Sequence, residues 1–197
     1  KNGVTDITEA LIGYDGLTLA ISRQANDDWA FTEEQIFRGL SADVPVKQAD
    51  GSFEWVANPY KNWSEIDPSL PNVAILAYGP PPTSGTRDAF VELAMHDGCK
   101  AIVGEDGYDK QKCSRMRQDG PFVEAGENDN LIIQRLVSDP NAIGIFGYSF
   151  LYENEDKLKA IPVNGVEPNA ETIASFEYDI ARPIYVYFKN AHRGVIP

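Results

Sequence analysis

The chain has 197 residues, of which 43% are hydrophobic and 11% aromatic, and its formal net charge is −13. This hydrophobic content predicts a packed globular core, since a disordered chain of this charge would be less apolar. The acidic total argues against nucleic-acid binding, which requires a basic surface. It does not exclude an anionic ligand, because surface charge is screened within about 8 Å at physiological salt. The longest apolar runs, such as residues 73–78, have the length of strands and not of a membrane span.

The first part of the chain predicts a strand, a helix and a hairpin. Residues 17–22 are mostly apolar and follow a turn-like Tyr-Asp-Gly, which predicts a strand. The clearest helix start lies in residues 31–40, where Thr32 and Gln35 have the spacing of a capping box. Residues 44–58 form two short alternating runs around an Asp-Gly turn, which is typical of a β-hairpin.

The middle of the chain predicts a buried strand, a rigid turn and a helix. Residues 58–71 are rich in Pro, Asn, Asp and Ser and predict a loop, whereas residues 72–78 predict a buried strand. Three prolines at 80–82 then hold the chain extended. A helix is predicted over residues 86–97, because apolar residues recur there on one helical face.

The last part of the chain alternates strands with helices. The predicted strands are 122–125, 142–148, 160–166 and 182–189, and the predicted helices are 128–138, 153–158 and 169–176. This alternation favours an α/β fold with helices packed on both faces of a sheet.

The residues with the clearest chemical content begin the helix that follows the central strand. They are Ser84, Gly85, Thr86 and Arg87. In an open α/β sheet, ligands bind beyond the carboxyl ends of the strands. A helix that starts there presents backbone N–H groups and the positive end of its dipole to an anion. Ser84 and Thr86 add hydroxyl donors, and Gly85 allows a close approach to the backbone, so the sequence predicts an oxyanion-binding loop.

Arg87 distinguishes this helix start from that of an ordinary capped helix. A cation near a helix N-terminus is mildly unfavourable, by roughly 0.3–1 kcal/mol at exposed sites. A bound anion between Arg87 and the helix end would reverse that effect, since arginine can bind phosphate through two hydrogen bonds. Alternatively, Ser84 is an ordinary cap and Asp88 neutralises Arg87. The local physics leaves both interpretations open.

Two cysteines, Cys99 and Cys113, match no zinc or redox motif. A disulfide between them would close a local loop worth about 3 kcal/mol in the chain-entropy model, and it would suit a secreted protein. Two unpaired thiols are an equally good interpretation of the sequence.

No residues form a recognisable catalytic or metal-binding set. His96 and His192 have no metal-ligating partner at a useful spacing, so we predict neither metal nor cofactor. Ser22, Ser84 and Ser149 have no base in a nucleophile motif. These residues therefore argue against a serine hydrolase, whereas our prediction of a binding protein and not an enzyme rests on a family resemblance.

Three long stretches resemble the phosphate-binding proteins that serve ABC phosphate transporters. They read YGPPPTSGTRDAF, EAGENDNLIIQRLVSDPNAIGIFGYSF and ARPIYVYFKNAH, and they occur in the order and spacing of that family. The resemblance implies a type II periplasmic-binding-protein fold, in which two α/β lobes close over one phosphate. It further implies delivery of phosphate to a permease, location in the periplasm, and phosphate contacts from Ser84, Gly85 and Thr86. We expect a monomer.

The sequence departs from that family in two respects. Where members often carry an arginine four residues before the serine, this chain has Pro80, and we expect Arg87 to supply the cation instead. The chain also starts at Lys1 without a methionine, which we interpret as a processed or trimmed chain. We expect residues 1–197 to form a single α/β unit, mainly the second lobe, with strands crossing to the other lobe near 15–19 and 182–187. Most of the first lobe would then be absent, and binding by this chain alone would be weak.

Alternative functions remain compatible with the residues. The same fold could receive another oxyanion, such as sulfate, molybdate or tungstate. A phosphate-releasing hydrolase could reuse the oxyanion loop, although it would need a nucleophile or a metal. A third alternative is an interaction module whose anion site no longer functions.

Overall fold

The computed structural model describes residues 5–26, 28–126 and 128–194. The strands are β1 (Ile7–Ser22), β2 (Asp43–Lys47), β3 (Phe53–Ala57), β4 (Ala77–Gly79), β5 (Phe122–Glu124), β6 (Ile143–Gly147), β7 (Leu158–Ala160) and β8 (Ala181–Lys189). The helices are α1 (Glu33–Leu40), α2 (Gly85–Phe90), α3 (His96–Gly107), α4 (Lys110–Cys113), α5 (Asp129–Ser138), α6 (Tyr148–Glu153) and α7 (Ala170–Ala174). A π-helical stretch, Val91–Met95, joins α2 to α3, and short 3₁₀ helices lie at Trp63–Glu65 and Asn190–His192.

Six strands form one mixed sheet in the order β5-β4-β6-β1-β7, and β8 pairs with β1 as well. Strand β4 is parallel to both of its neighbours, β5 and β6. Strand β1 is antiparallel to β6, β7 and β8. The predicted hairpin is confirmed as a separate two-stranded sheet of β2 and β3.

Different helices cover the two faces of the sheet. Along β1, Leu17, Leu19 and Ile21 belong to the larger hydrophobic cluster, together with α1, α2 and α3. Ala20 belongs to a second cluster with α5 and α6. Since successive side chains of a strand point to opposite faces, the sheet is buried on both sides, as the sequence predicted.

Strands β1 and β8 continue beyond the sheet as a two-stranded ribbon, formed by residues 7–16 and 181–189. This part of β1 pairs with β8 alone, whereas residues 17–22 pair with β6 and β7. Apolar side chains are exposed on both faces of the ribbon. One face carries Ile7, Leu11, Tyr185 and Tyr187, and the other carries Ile184, Val186 and Phe188.

Several local predictions are confirmed. Helix α1 has the complete capping box of Thr32 and Gln35, in which each side chain accepts from the other residue's backbone N–H. Asn128 caps α5 through the N–H of Asn130. The Cys99–Cys113 disulfide is formed, which decides between the two interpretations of the cysteines.

Other predicted bounds are wrong. Of the strand predicted at 72–78, only the end is a strand of the sheet, β4, which begins at Ala77. In residues 72–76 the pairing is limited to an isolated bridge between Ala74 and Asn62. The helix predicted at 86–97 continues through the π-helical stretch into α3, where Gly104, with a φ of +71°, breaks the helical conformation before Gly107. No helix of the described residues is long and apolar enough to cross a membrane.

Two neighbouring elements were also misplaced. The helix predicted at 153–158 lies earlier, at α6, which begins directly after β6 with Gly147 as a cap that makes no side-chain hydrogen bond. The strand predicted at 160–166 is β7, which ends at Ala160. Beyond it, Val163 bridges to Phe31 and to Val166, so this segment is held by isolated bridges and not by the sheet.

Candidate functional site

The carboxyl ends of the parallel strands β4, β5 and β6 lie along one edge of the sheet. Gly79 at the end of β4 is level with Glu124 at the end of β5. The chain leaves β4 through the proline turn at residues 80–82 and enters α2. The oxyanion loop predicted from the sequence therefore lies at the edge where ligands of α/β sheets bind.

Ser84 is the N-cap of α2. Its backbone is extended, and its Oγ accepts a hydrogen bond from the Thr86 N–H at 3.2 Å. The Ser84 N–H donates to the Pro81 carbonyl at 3.0 Å, which closes the turn ahead of the helix. The Ser84 hydroxyl thus has the capping role of the plainer interpretation, while its hydrogen can still be donated to a ligand.

Gly85 is the most open point of this loop. A Cβ built on Gly85 would have no atom within 4 Å, whereas one built on Gly79 would meet the Phe122 ring at 2.7 Å. The space in front of the Gly85 backbone is therefore not filled by side chains of the described residues. An anion could reach the backbone here.

The Arg87 side chain folds back along the loop. Its Nη1 donates to the Pro80 carbonyl at 3.2 Å, and its guanidinium lies 4.4 Å from the centre of the Phe122 ring. Burial lowers the pKa of Arg87, while the charges of Glu124 and Asp88 oppose that change. Among the described residues Arg87 makes no ion pair with Asp88, so simple neutralisation by that neighbour does not describe its position.

Arg87 also borders a groove on the outer side of the helix. This groove has a volume of about 410 Å³, and its lining includes Glu92 of the π-helical stretch, His96 of α3 and Ser114, which follows α4. Ser84, Gly85 and Thr86 do not line it. The structure thus brings Ser84, Gly85 and Thr86 together at the helix start and places the Arg87 guanidinium against the Pro80 carbonyl and the Phe122 ring.

Two polar side chains in the groove, His96 and Ser114, contact each other. His96 Nε2 is 2.8 Å from Ser114 Oγ, and that hydroxyl donates to the Lys110 carbonyl at 2.6 Å. Burial lowers the pKa of His96, and the nearby charge of Lys110 acts in the same direction while those of Glu92 and Asp97 oppose it. Within the described ranges, no three His, Cys, Asp or Glu residues are grouped so that they could hold a metal ion.

The sequence analysis missed two residues beside the loop. Phe122 supplies the aromatic face under Arg87, and Glu124 supplies a nearby negative charge. Both lie on β5, 35 and more residues from Arg87, and only the parallel pairing of β4 with β5 brings them close. The available signal was a short apolar run that ends in an acidic residue at 122–124, but it does not indicate which strand will be the neighbour.

A second polar contact lies where the ribbon leaves the sheet. Arg182 on β8 forms an ion pair with Asp15 on β1, with Nη2 and Oδ2 3.1 Å apart. Asp15 and Arg182 each lie in one of the two segments, 15–19 and 182–187, that the sequence predicts to cross between lobes.

Comparison with known proteins places this geometry in a family. The model of the PBP superfamily domain matches residues 1–197. Protein SphX of Synechococcus elongatus is 30% identical over 95% of this chain and 48% of its own length. The phosphate-binding protein PstS of Staphylococcus saprophyticus is 28% identical over 91% of this chain and 46% of its own length. The chain therefore spans about half the length of the curated relatives it matches.

Solved structures share the fold. A possible phosphate-binding protein from Planctomyces limnophilus superposes with a TM-score of 0.63 at 26% identity, covering 96% of this chain and 57% of that one. PstS from Borrelia burgdorferi superposes with a TM-score of 0.64 at 20% identity, covering 96% and 63%. The predicted fold class, an α/β lobe of the periplasmic-binding-protein type with a mixed sheet flanked by helices, is confirmed, and the chain belongs to the PBP superfamily domain family.

Proposed function

We propose that this chain is part of a solute-binding protein that takes up inorganic phosphate in the periplasm and delivers it to the permease of an ABC transporter. It acts by binding and not by catalysis. The observation that carries the proposal is the helix start at Ser84, Gly85 and Thr86, which lies at the carboxyl edge of the parallel strands with open space in front of Gly85. Relatives that carry the name phosphate-binding protein support the choice of phosphate.

In the proposed site, the phosphate oxygens accept hydrogen bonds from the Ser84 and Thr86 hydroxyls and from the backbone of Gly85. The helical segment that starts there continues through the π-helical stretch into α3, so its positive end faces the anion. Hydrogen bonds to a charged group contribute about 1.5–3 kcal/mol each. Because water competes for the same hydrogen bonds, these three contacts bind the anion tightly only if the site also excludes water.

Arg87 supplies the positive charge behind the loop. Its contact with the Pro80 carbonyl puts the guanidinium next to Pro80, the position where the resemblance to phosphate-binding proteins led us to expect an arginine. Stacking on Phe122 fixes its orientation, because a guanidinium is attracted to the face of an aromatic ring. The charge therefore acts on the anion from the side of the turn.

The remainder of the binding site belongs to a second lobe. The ribbon supports this arrangement, since apolar side chains exposed on both faces are typical of strands that are covered on both sides. The length of the relatives is a second support, because the chain accounts for about half of it. A single lobe leaves the anion hydrated on one side, so we expect this chain alone to bind phosphate weakly.

Equilibrium binding measurements test the proposal. We expect the full-length protein that contains this chain to bind radiolabelled phosphate, and sulfate, molybdate and tungstate to compete poorly. Ser84→Ala should weaken phosphate binding by about tenfold or more, the loss of one hydrogen bond to a charged group. Displacement of phosphate by an equal concentration of sulfate would identify a receptor for a different oxyanion. Tight micromolar binding by the 197 residues alone would contradict the need for a second lobe.

A further inference from the structure

The base of the ribbon is fixed to the rest of the lobe by α7 and the segment that follows it. Ile173 of α7 fills the space above Gly16, where an added Cβ would lie 2.3 Å from the Ile173 side chain. The Tyr178 hydroxyl donates to the Leu17 carbonyl at 2.9 Å in a buried position. These contacts hold β1 at the point where it leaves the sheet.

One further contact extends this support outward. The Phe176 ring meets the Tyr14 ring edge-on, with centroids 5.4 Å apart and planes at 83°. Phe176 has a φ of +59°, a left-handed conformation that glycine adopts much more readily. A glycine at this position after α7 would relieve that strain, but it would leave Tyr14 without its partner. We call Ile173, Phe176 and Tyr178 the brace.

Two residues further out along β1 from Tyr14, at Ile12, the ribbon is past the brace contacts described above and its own pairing is interrupted. The pairing of β1 with β8 shifts between Leu11 and Gly13, so Ile12 lies outside the ladder and is 63% exposed. A Cβ on Gly13 would have no atom within 4 Å. A bulge weakens the pairing locally, and glycine widens the range of backbone conformations. The bulge is therefore the first position outside the brace at which the ribbon can bend.

We propose that the pivot between the two lobes lies at this bulge, residues 11–13 of β1, opposite Ile184 and Tyr185 on β8. The inference rests on the two-lobe arrangement proposed above. On β1 it locates the movement outward from the segment 15–19 that the sequence suggested as a crossing, and on β8 it narrows the segment 182–187 to Ile184 and Tyr185. Bending at the bulge would carry the outer ribbon with the second lobe while the Asp15–Arg182 ion pair and the brace stay with the phosphate loop.

Distance measurements by pulsed electron paramagnetic resonance on this chain test the location of the pivot. One spin label is attached at Glu9→Cys on the outer ribbon and the other at Gln134→Cys on α5. The width of the distribution of distances between them measures how far the outer ribbon moves relative to α5. Gly13→Val should narrow the distance distribution by about a factor of two, since a β-branched side chain restricts the backbone. Phe176→Ala, the matched change in the brace, should leave the width unchanged because Ile173 and Tyr178 still hold the base. A distribution that widens in Phe176→Ala and is unchanged in Gly13→Val would place the pivot at the base and overturn the proposal.

Hydrogen exchange gives a second test that needs no substitution. We expect the paired amides of residues 14–22 to be protected and protection to fall from residue 13 outward. Loss of protection that already begins at Leu17 would overturn the proposal. Neither measurement involves phosphate, so a failure here is distinct from a failure of the phosphate-binding proposal, which the binding measurements decide.

Discussion

Arg87 donates from Nη1 to the carbonyl of Pro80, 3.2 Å away and seven residues earlier in the chain. The contact joins the first turn of α2 to the first residue after β4, and so closes the loop between them. Pro80 is the position where the family resemblance predicted an arginine, and the Arg87 guanidinium reaches it from the other end of the loop. The guanidinium thus contributes a hydrogen bond to the loop and a positive charge near the proposed anion site.

Removal of the Arg87 charge should weaken phosphate binding. In the full-length protein we expect Arg87→Ala to raise the Kd for phosphate by about 10- to 150-fold, the equivalent of about 1.5–3 kcal/mol for one charge-assisted interaction. Calorimetric titration measures the change. Arg115→Ala is the control, since Arg115 pairs with Asp43 on the exposed surface and should leave the Kd unchanged. An unchanged Kd in Arg87→Ala, together with a raised Kd in Ser84→Ala, would remove Arg87 from the site.

Gly85 offers a test that separates binding from folding. Its Cβ position is open, and alanine has a higher helix propensity than glycine, so Gly85→Ala should leave the free energy of unfolding unchanged or raise it slightly. The added methyl group would occupy the space through which phosphate approaches the backbone. We expect a Kd raised by about tenfold or more, because lost hydrogen bonds to a charged ligand are worth at least 1.4 kcal/mol each.

Thermal unfolding and phosphate titration on the same Gly85→Ala preparation decide between the two effects. A raised Kd with unchanged stability supports direct contact between the Gly85 backbone and the anion. An unchanged Kd would show that the ligand does not approach this residue.

The features that could be predicted from the sequence are those set by neighbouring residues. Helix starts at Thr32, Asn128 and Asn169 were recognisable because an N-cap side chain bonds to a backbone N–H two or three residues away. Helix α6 carries no such mark, since its cap is Gly147, and it was placed too late in the chain.

The features that could not be predicted depend on distant partners. The outer half of β1 is a strand because it pairs with β8, more than 160 residues away, and nothing in residues 7–16 indicates that partner. The direction of Arg87 likewise depends on Phe122, which a parallel strand brings beneath it. The sequence therefore identified the loop residues but not the surroundings that orient the arginine.

Arg117 is a buried cation whose loss should destabilise the fold. Its guanidinium forms two hydrogen bonds with Asp119, at 2.8 and 2.7 Å, and a third with the Tyr60 carbonyl at 2.7 Å. The side chain is fully buried. Arg117→Met should lower the free energy of unfolding by about 1–3 kcal/mol, because the Tyr60 carbonyl loses its donor and Asp119, which is half exposed, is left with the ion pair to Lys61 at 3.6 Å.

Denaturant unfolding measures the effect of Arg117→Met. Arg115→Ala serves again as the control, since an exposed ion pair contributes only about 0–1 kcal/mol. If the free energy of unfolding fell equally in Arg117→Met and Arg115→Ala, the hydrogen bonds of the buried Arg117 would contribute no more to stability than the ion pair of Arg115.

Glu33 makes stability depend on pH. The pKa of this carboxyl, at the first position of α1, is raised to about 7. Burial is the main cause, and the charges of Asp179 and Asp97 add to it, while a hydrogen bond from Asn164 opposes it. Within the described part of the chain, the Glu33 Oε1 atom is buried without a hydrogen-bond partner. Between these two pKa values, at pH 4.5 to about 7, Glu33 is protonated in the folded protein. In the unfolded chain, where its pKa is near 4.5, it has already lost this proton.

The sign of the effect follows from this difference. Between about pH 4.5 and 7 unfolding releases the proton, so the contribution of Glu33 to the free energy of unfolding is largest at the acidic end and declines as the pH rises. We expect Glu33→Gln, measured by thermal unfolding from pH 5 to 8, to reduce this decline, since its amide stays neutral throughout. Glu34→Gln is the control, because Glu34 is more exposed and pairs with Arg38 at 2.8 Å. If Glu33→Gln and the parent chain lose stability in parallel over this range, the proton is not held by Glu33.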